Sequence, residues 1–306
     1  MTWRLGTRGS ALALAQSRLV AQALTAATGE AVDLVEIVTD GDRSAAPVAS
    51  LGVGVFVSAL REALYAKDID FAVHSYKDLP TAAPEGLTLA AVPTREDPRD
   101  ALISRDGLLL AELGPGARIG TGSPRRIAQL LALGRGLEPV PMRGNVDTRL
   151  RKVAEGEVDA VVVATAGLRR LGRADEITEV LDPLLMLPAP AQGALAVECR
   201  TTDTSLVELL GSLDDEHTRA AVAAERALLA ALEAGCSAPV AALADVAETD
   251  IDEYEIYLRG AVFSVDGELA FRLSGTGTLT DAPEVGRLLA AELLDAGAAT
   301  ALGDHG

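Results

Sequence analysis

The stretch ARIGTGSPRRIAQLLAL, residues 117–133, passes from a short apolar run to a helical repeat within one turn. The residues Ala117–Thr121 predict a buried strand, and Ser123–Leu133 predict a helix that has Ser123 as its N-cap. Pro124 then occupies the first helical position, where its missing N–H does no harm. A strand followed closely by a helix is the unit from which α/β sheets are built.

The same unit recurs on both sides of this stretch. Apolar runs alternate with helical repeats, and the alternation pauses only at Leu87–Pro93 and Arg99–Ser104. Two similar α/β units that meet near Pro93–Pro98, with mostly parallel sheets, are therefore predicted. The further predicted strands are Trp3–Thr7, Val32–Val38, Asp70–His74, Leu137–Arg143 and Asp159–Ala164, and the further helices are Ala11–Thr28, capped by Ser10, Val55–Ala66, Asn145–Glu155 and Ala166–Leu171.

A proline-rich hinge, Leu187–Gly193, separates these units from the rest of the chain. We expect the strand after the hinge, Ala194–Cys199, to return to the first sheet. Beyond it, a long helix at Thr218–Glu233, a hairpin signal at Asp266-Gly267 and a last helix at Pro283–Leu294 indicate an α+β domain.

The predicted fold class is therefore two α/β domains followed by a C-terminal α+β domain. Domain 1 is expected to be discontinuous, with residues 1–95 and 194–212. Domain 2 is expected at residues 96–193 and domain 3 at residues 213–306.

The charge balance limits the partners of the chain. It has 45 acidic and 27 basic residues and a net charge of −18, so its mean field repels nucleic acid. It has no apolar run of about 18 residues and no signal-peptide pattern near its start, so we expect a cytoplasmic protein without a membrane. Its cysteines and histidines are not spaced as metal ligands, so no metal is expected.

Arginines nevertheless open three predicted helices, at Thr7-Arg8-Gly9-Ser10, at Thr121–Arg126 and at Arg143–Arg149. The N-terminus of a helix already carries partial positive charge, so arginines at these positions favour a small, multiply charged acid as ligand. The alternative is that arginine is simply the usual cation of this chain, because only three of its 27 basic residues are lysines.

Ser75-Tyr76-Lys77-Asp78-Leu79-Pro80 leaves the end of a predicted buried strand. Pro80 restricts Leu79 to extended conformations, so Lys77 and Asp78 are expected in a sharp turn. A fixed carboxylate there could stabilise a cation or move a proton, while the lysine binds an acid. A helix-capping aspartate beside a solvated lysine is the alternative.

Cys236 follows the long predicted helix, between Gly235, which suits a helix end, and Pro239. Its thiol is therefore expected on a loop, where it is available for chemistry. A small buried hydrophobic residue is the alternative. Cys199, within a predicted strand, is expected to be structural.

Five segments together resemble one family, the hydroxymethylbilane synthases, also called porphobilinogen deaminases. They occur in the family's order and approximate spacing over nearly the whole chain, and the resemblance weakens in about the last sixty residues. The segments are His74–Pro80, Gly120–Arg126, Arg143–Leu150, Pro190–Cys199 and Glu225–Pro239.

The resemblance implies a transferase of porphyrin and heme biosynthesis that condenses four porphobilinogen molecules head to tail, with loss of ammonia, into hydroxymethylbilane. It implies two domains like type II periplasmic binding proteins with the active cleft between them, and a third domain whose cysteine carries a dipyrromethane cofactor through a thioether. A monomer that passes its product to uroporphyrinogen-III synthase is expected.

The family's functional residues match positions of this chain. The resemblance implies Asp78 as the catalytic residue. For the cofactor it implies Cys236 as the covalent anchor with Lys77, Thr121, Ser123, Arg125 and Arg126, and for the substrate it implies Arg8, Ser10, Arg143, Arg149 and Gln192.

The chain departs from the family at a few positions. Val53 and Ser58 stand where many members have lysines, so no binding role is carried over to them. Ala191 replaces a common glycine before Gln192. The alternative is a noncatalytic, two-lobed protein that binds or senses a small anion. The fold alone does not distinguish such a protein from the enzyme.

Overall fold

The computed structural model describes residues 2–38, 55–233, 238–249 and 253–302. The strands are β1 (Thr2–Thr7), β2 (Ala31–Glu36), β3 (Phe71–Ser75), β4 (Leu87–Ala91), β5 (Asp100–Ser104), β6 (Arg118–Thr121), β7 (Glu138–Pro141), β8 (Ala160–Ala164), β9 (Glu179–Val180), β10 (Leu195–Arg200), β11 (Val240–Glu248), β12 (Tyr254–Phe263) and β13 (Ala270–Thr278). The α-helices are α1 (Ala11–Thr28), α2 (Val55–Tyr65), α3 (Pro124–Ala132), α4 (Val146–Ala154), α5 (Thr165–Arg170), α6 (Thr204–Gly211), α7 (Glu216–Ala231), α8 (Ala282–Asp295) and α9 (Ala299–Leu302).

The chain forms two compact units. The first contains Met1–Glu96 and Ala194–Arg219, and the second contains Asp97–Gly193 and Ala220–Gly306. Among the described residues, the first unit holds one sheet and the second holds two. The division into three domains stays a prediction.

The sheet of the first unit has the strand order β2-β1-β3-β10-β4. Strands β2, β1 and β3 are parallel, and β10 is antiparallel to both β3 and β4. The strand predicted at Ala194–Cys199 therefore returns to the first sheet, as expected, with the observed bounds Leu195–Arg200.

The first sheet of the second unit repeats this arrangement in the order β7-β6-β8-β5-β9, with β5 as the antiparallel strand. The expectation of mostly parallel sheets is thus confirmed, and in each sheet one strand, β10 or β5, runs the other way. The two antiparallel strands, β5 and β10, each follow directly after the chain passes from one unit to the other. No crossover helix precedes them, so nothing forces them to be parallel.

Helix α1 shows how local signals determine an element. The Ser10 hydroxyl accepts a hydrogen bond from the Ala13 N–H at 3.3 Å, and Gly29 ends the helix with φ 76°. These are the N-cap and left-handed C-cap that helices commonly use. Val20 and Leu24 on its inner face are buried with Leu5 of β1, and the predicted bounds Ala11–Thr28 are confirmed.

A buried ion pair joins α2 to this sheet. Arg61 donates from Nε and Nη2 to the two carboxylate oxygens of Glu198, at 3.0 and 2.9 Å. His74 Nε2 lies 3.5 Å from Glu198 Oε2. Burial alone would raise the pKa of Glu198, but hydrogen bonding and the charges of His74 and Arg61 outweigh it and hold the pKa below its usual value.

Glu198→Gln is expected to lower the free energy of unfolding by about 2 to 3 kcal/mol near neutral pH, because it leaves Arg61 without its carboxylate. The pKa of Glu198 is depressed in the folded protein. Its stabilisation is therefore present above the unfolded pKa of about 4.3 and is lost as the pH falls through the folded value. Urea unfolding of wild type and variant across this range measures the effect. Glu62→Gln, an exposed change on the same helix, is the control, and a difference that persists at low pH contradicts the assignment.

The other sheet of the second unit is antiparallel, in the order β11-β12-β13. The predicted hairpin at Asp266-Gly267 is confirmed as the turn between β12 and β13. Gly267 has φ 73°, and a Cβ there would lie 2.6 Å from the Ala128 carbonyl oxygen of α3. Phe263 and Leu187 are buried beside Ala128, so this hairpin packs directly on α3.

The segment before β10 contains the left-handed residue Ala191, with φ 61°. Its N–H donates at 2.6 Å to Glu225 Oε2 on α7, and Glu225 Oε1 accepts from the Ala244 N–H at 2.8 Å. The conformation favours glycine, which is the residue that the family resemblance implies at this position.

Ala191→Gly is expected to raise the free energy of unfolding slightly, by up to about 1 kcal/mol, because relief of the left-handed strain of about 1 to 2 kcal/mol exceeds the entropic cost of glycine. Ala241→Gly is the matched control: Ala241 is equally buried, in β11, and is not left-handed. It should lose about 1 kcal/mol. Urea unfolding measures both, and equal losses would contradict the strain argument.

The predicted fold class is confirmed: each of two sheets is packed with helices in α/β fashion, and a smaller antiparallel sheet with helices follows. Within the described residues, no helix combines the length and apolar character needed to cross a membrane.

Candidate anion-binding site

Two of the predicted site arginines lie in the first turn of α3, and both are buried against Asp100. Arg125 Nη2 donates to Asp100 Oδ2 at 2.8 Å. Arg126 donates to Asp100 Oδ1 from Nε at 3.1 Å and from Nη2 at 2.7 Å. Burial would raise the pKa of Asp100, but the charges of the two arginines outweigh it and hold the pKa well below its usual value. The carboxylate therefore stays ionised.

Backbone carbonyls hold the same two side chains from other directions. Arg125 Nη1 donates to the Leu187 carbonyl oxygen at 2.6 Å, and Arg126 Nη1 donates to that of Val162 at 2.9 Å. Arg125 Nε is buried and has no hydrogen-bond partner among the described residues. One donor of this pair is thus left for a further acceptor.

Gln192 completes the surroundings of Asp100. Its Nε2 donates to Asp100 Oδ1 at 2.8 Å and to the Pro98 carbonyl oxygen at 2.7 Å. The side chain is fully buried. Gln192, predicted to bind substrate, is therefore held beside the arginine pair.

Arg149 on α4 brings a third guanidinium group to this cluster. Its Nε donates to the Gly144 carbonyl oxygen at 2.9 Å. Burial, and then the charge of Arg126, hold the pKa of Arg149 below its ordinary value, although arginine remains charged in proteins. In the described part of the chain, Asp100 is the one carboxylate paired with Arg125, Arg126 or Arg149. The cluster therefore carries excess positive charge.

The N-terminus of α3 lacks the side-chain cap that the sequence predicts. Ser123 occupies the N-cap position with Pro124 after it, as predicted, but the Ser123 hydroxyl makes no capping hydrogen bond. Instead the Ser123 N–H donates to Thr121 Oγ1 at 3.3 Å. The capping part of the prediction is thus corrected, because the helix N–H groups are not satisfied by Ser123. By contrast, Asn145 caps α4 through its contact with the Thr148 N–H at 2.9 Å.

In the first unit, the predicted residues follow the ends of two adjacent parallel strands. Arg8 is half-buried after β1, and Ser10 caps α1. After β3 the chain turns through the short 3-10 helix Tyr76–Asp78, in which Lys77 is half-buried and Asp78 is exposed. Because β1 pairs with β3 in parallel, both groups lie at one edge of this sheet.

Neighbouring side chains hold the turn Tyr76–Asp78 in place. Gln16 Nε2 on α1 donates to the Ser75 hydroxyl at 2.9 Å, and Leu79, immediately after Asp78, is buried. The sharp turn expected for Lys77 and Asp78 is confirmed. Asp78 itself is not needed to anchor it, because these neighbours do so.

The structure thus groups the predicted residues of each unit separately. Arg143 is exposed at the end of β7 and before α4, and Ser58 is exposed on α2. Cys236 and Val53 lie outside the described residues. No group of three His, Cys, Asp or Glu side chains within the described ranges could hold a metal ion.

Asp100 and Gln16 are the residues that the sequence analysis missed. Asp100 has a signal in the sequence: it opens the otherwise apolar run Asp100–Ser104, and a carboxylate entering a buried strand requires a cation. Gln16 has no signal in the sequence that distinguishes it from other polar residues on an amphipathic helix.

Two similarly ordered sheets packed with helices define an α/β protein, and its arginines and helix N-termini at strand ends are groups suited to a small anion. The comparisons with known proteins are more specific. Residues 3–208 match the family model "Porphobilinogen deaminase, dipyromethane cofactor binding domain", and residues 219–295 match "Porphobilinogen deaminase, C-terminal domain". The chain belongs to the porphobilinogen deaminase family. Enzymes of this family are transferases that make hydroxymethylbilane.

Curated relatives agree. A porphobilinogen deaminase of Mycobacterium tuberculosis (strain ATCC 25618 / H37Rv) is 61% identical over 300 residues, which are 96% of each chain. One of Nocardia farcinica is 59% identical over 299 residues, covering 96% of this chain and 86% of that one. The predicted family is therefore confirmed.

Solved structures show a more distant similarity. A periplasmic substrate-binding protein of an ABC transporter from Coxiella burnetii aligns at 15% identity and a TM-score of 0.45, covering 69% of this chain and 91% of that one. The methionine-binding protein MetQ aligns at 14% identity and a TM-score of 0.44, with 69% and 89% covered. At these values neither carries an argument about ligand or activity.

Proposed function

We propose that this chain is a hydroxymethylbilane synthase, which condenses four porphobilinogen molecules head to tail and releases ammonia at each step. Membership of the family supports this reaction. The observation that carries it is the pair of Arg125 and Arg126 on one carboxylate, that of Asp100, with the charge of Arg149 close to Arg126. Such a cluster attracts a ligand that brings several carboxylates of its own.

The substrate has that character, because each porphobilinogen ring carries an acetate and a propionate. Arginine forks bind carboxylates through two parallel hydrogen bonds and stay charged throughout. The proposed substrate-binding residues are Arg8, Ser10, Arg143, Arg149 and Gln192.

A dipyrromethane cofactor would find matching donors in the second unit. Arg125 Nε is a buried donor without a partner, and the Ser123 hydroxyl makes no capping bond. The cofactor, when bound, supplies the pyrrole ring to which the first substrate is added. The proposed cofactor-binding residues are Lys77, Thr121, Ser123, Arg125 and Arg126, with Cys236 as the thioether anchor.

Asp78 is the proposed catalytic residue. When ammonia leaves porphobilinogen, positive charge develops on the pyrrole ring, and a nearby carboxylate stabilises that charge and accepts hydrogen bonds from the ring N–H. The exposure of Asp78 at the end of a short 3-10 helix supports this role, because the carboxylate can reach a bound ring. It could also carry a proton between steps.

The remaining proposals concern the setting of the reaction. We place the three domains at residues 1–95 with 194–212, at 96–193 and at 213–306. The protein acts as a cytoplasmic monomer without metal, nucleic acid or membrane, and its product passes to uroporphyrinogen-III synthase. The acidic surface supports the exclusion of nucleic acid.

Intact-mass measurement under denaturing conditions tests the function. Protein made in cells that supply porphobilinogen should carry a covalent adduct of two pyrrole units, and peptide mapping should place it on Cys236. The protein should also release ammonia from porphobilinogen. An unmodified chain that binds porphobilinogen without turnover would support the noncatalytic anion-binding alternative instead.

A further inference from the structure

Asp100 is a fully buried carboxylate on which donors from separate elements converge. Arg125 and Arg126 of α3 supply three hydrogen bonds, and Gln192 from the segment before β10 supplies a fourth. Asp100 itself is the first residue of β5. The carboxylate thus joins a helix start, a strand start and the segment that leaves the second unit.

We propose that Asp100 is a positioning residue, which sets the directions of Arg125 and Arg126 and thereby controls how well the second unit binds the carboxylates of its pyrrole ligands. The proposal rests on the proposed function. It adds a residue that acts through others, because both carboxylate oxygens of Asp100 already accept hydrogen bonds from Arg125, Arg126 and Gln192.

The geometry supports positioning by two-point attachment. Each guanidinium group is held by Asp100 on one side and by a carbonyl oxygen, of Leu187 or of Val162, on the other. A planar fork held at two points cannot rotate freely. Arg125 Nε is consequently kept in one place as the donor that has no partner among the described residues.

Charge supports the same role. Without a carboxylate, Arg125 and Arg126 would be two like charges side by side in a buried place, with Arg149 as a third close to Arg126. Like charges separate where the structure allows it. Asp100 therefore keeps both forks together while leaving the cluster positive enough for a ligand.

Two substitutions of Asp100 test separately its negative charge and the orientation that it gives to the guanidinium groups of Arg125 and Arg126. Asp100→Asn keeps the size and removes the charge. Asp100→Glu keeps the charge but moves the carboxylate by about one methylene, roughly 1.5 Å, so the forks can no longer be held at both points. Asp159→Asn is the matched control. Asp159 also accepts hydrogen bonds from an arginine, Arg105, and from a backbone N–H, that of Arg118, but it is only half-buried in the same unit.

Each protein is made in cells that lack porphobilinogen and is then incubated with porphobilinogen, while intact mass follows the adduct and circular dichroism follows unfolding. We expect both Asp100 variants to fold and to load at least about tenfold more slowly at low porphobilinogen concentration. Higher concentration should restore much of the rate, because binding is impaired and the attachment chemistry is not. Loaded variants should show a raised KM with a smaller change in kcat. Asp159→Asn should load like wild type.

The outcomes are distinct. Failure of wild type to load at all would overturn the proposed function. If wild type loads and a folded Asp100→Glu or Asp100→Asn variant loads within about twofold of it, the positioning role is wrong. If neither Asp100 variant folds, Asp100 serves stability alone, and the inference is equally overturned.

Discussion

Asp78→Ala is expected to reduce ammonia release from porphobilinogen by about a hundredfold to ten-thousandfold, the range usual for removal of an acid-base group. The fold should be unchanged. Asp78 is exposed, and the turn that carries it is anchored by Leu79 and by the contact of Gln16 with Ser75. Steady-state ammonia release and thermal unfolding measure the two effects.

The control for this variant is Asp68→Ala. Asp68 is exposed in the turn before β3 of the same unit, so its loss should leave the rate at that of wild type. Ammonia release close to normal in Asp78→Ala would show that the catalytic carboxylate is another residue. A large loss of stability would show that the turn depends on Asp78 after all.

Cys236→Ser is expected to abolish both the covalent adduct and product formation. A thioether forms from the thiolate, and serine at neutral pH offers no comparable nucleophile. The substrate could still bind through the arginines, but no primer would be attached. Intact mass and absorbance of the tetrapyrrole product measure the two losses.

The chain provides its own control, because it has just one other cysteine, Cys199. Cys199 is buried in β10, and burial raises the pKa of its thiol to about 11, so it remains protonated and unreactive. Cys199→Ala should retain the adduct and turnover. An adduct that persists in Cys236→Ser, or one that disappears in Cys199→Ala, would contradict the assignment of the anchor.

The elements that could be predicted are those whose signals lie within a few residues. Both ends of α1 are correct because Ser10 and Gly29 adjoin it, and the hairpin is correct because Asp266-Gly267 lies within the short loop between Phe263 and Ala270. The turn at Lys77 and Asp78 is likewise local, since Pro80 restricts the residue before it.

The direction of β5 and β10 could not be predicted from the sequence. The sequence shows that apolar strands occur at these places, but the direction of a strand depends on which neighbour it meets. For β10 the neighbours are β3 and β4, more than a hundred residues earlier in the chain. The expectation of a mostly parallel sheet is confirmed, but the sequence did not show which strand of each sheet runs the other way.

The candidate site divides in the same way. Sequence placed Arg125, Arg126 and Arg149 near helix starts, and the family resemblance implied what they bind. It did not indicate that Asp100, 25 residues before Arg125, holds the first two in place. A sequence pattern shows residue types along the chain, and an ion pair between a strand and a separate helix leaves almost no periodic signal in it.

By itself, then, the sequence determined the α/β class, the ends of several helices, the excess of negative charge and the family, because each follows from local patterns or from ordered motifs. Only the tertiary structure decided that β5 and β10 run against their sheets, that Ala191 is left-handed, and that one buried carboxylate shares its oxygens among Arg125, Arg126 and Gln192. These features arise when distant segments must satisfy each other's charges and hydrogen bonds away from water, and that requirement appears only once the chain has folded.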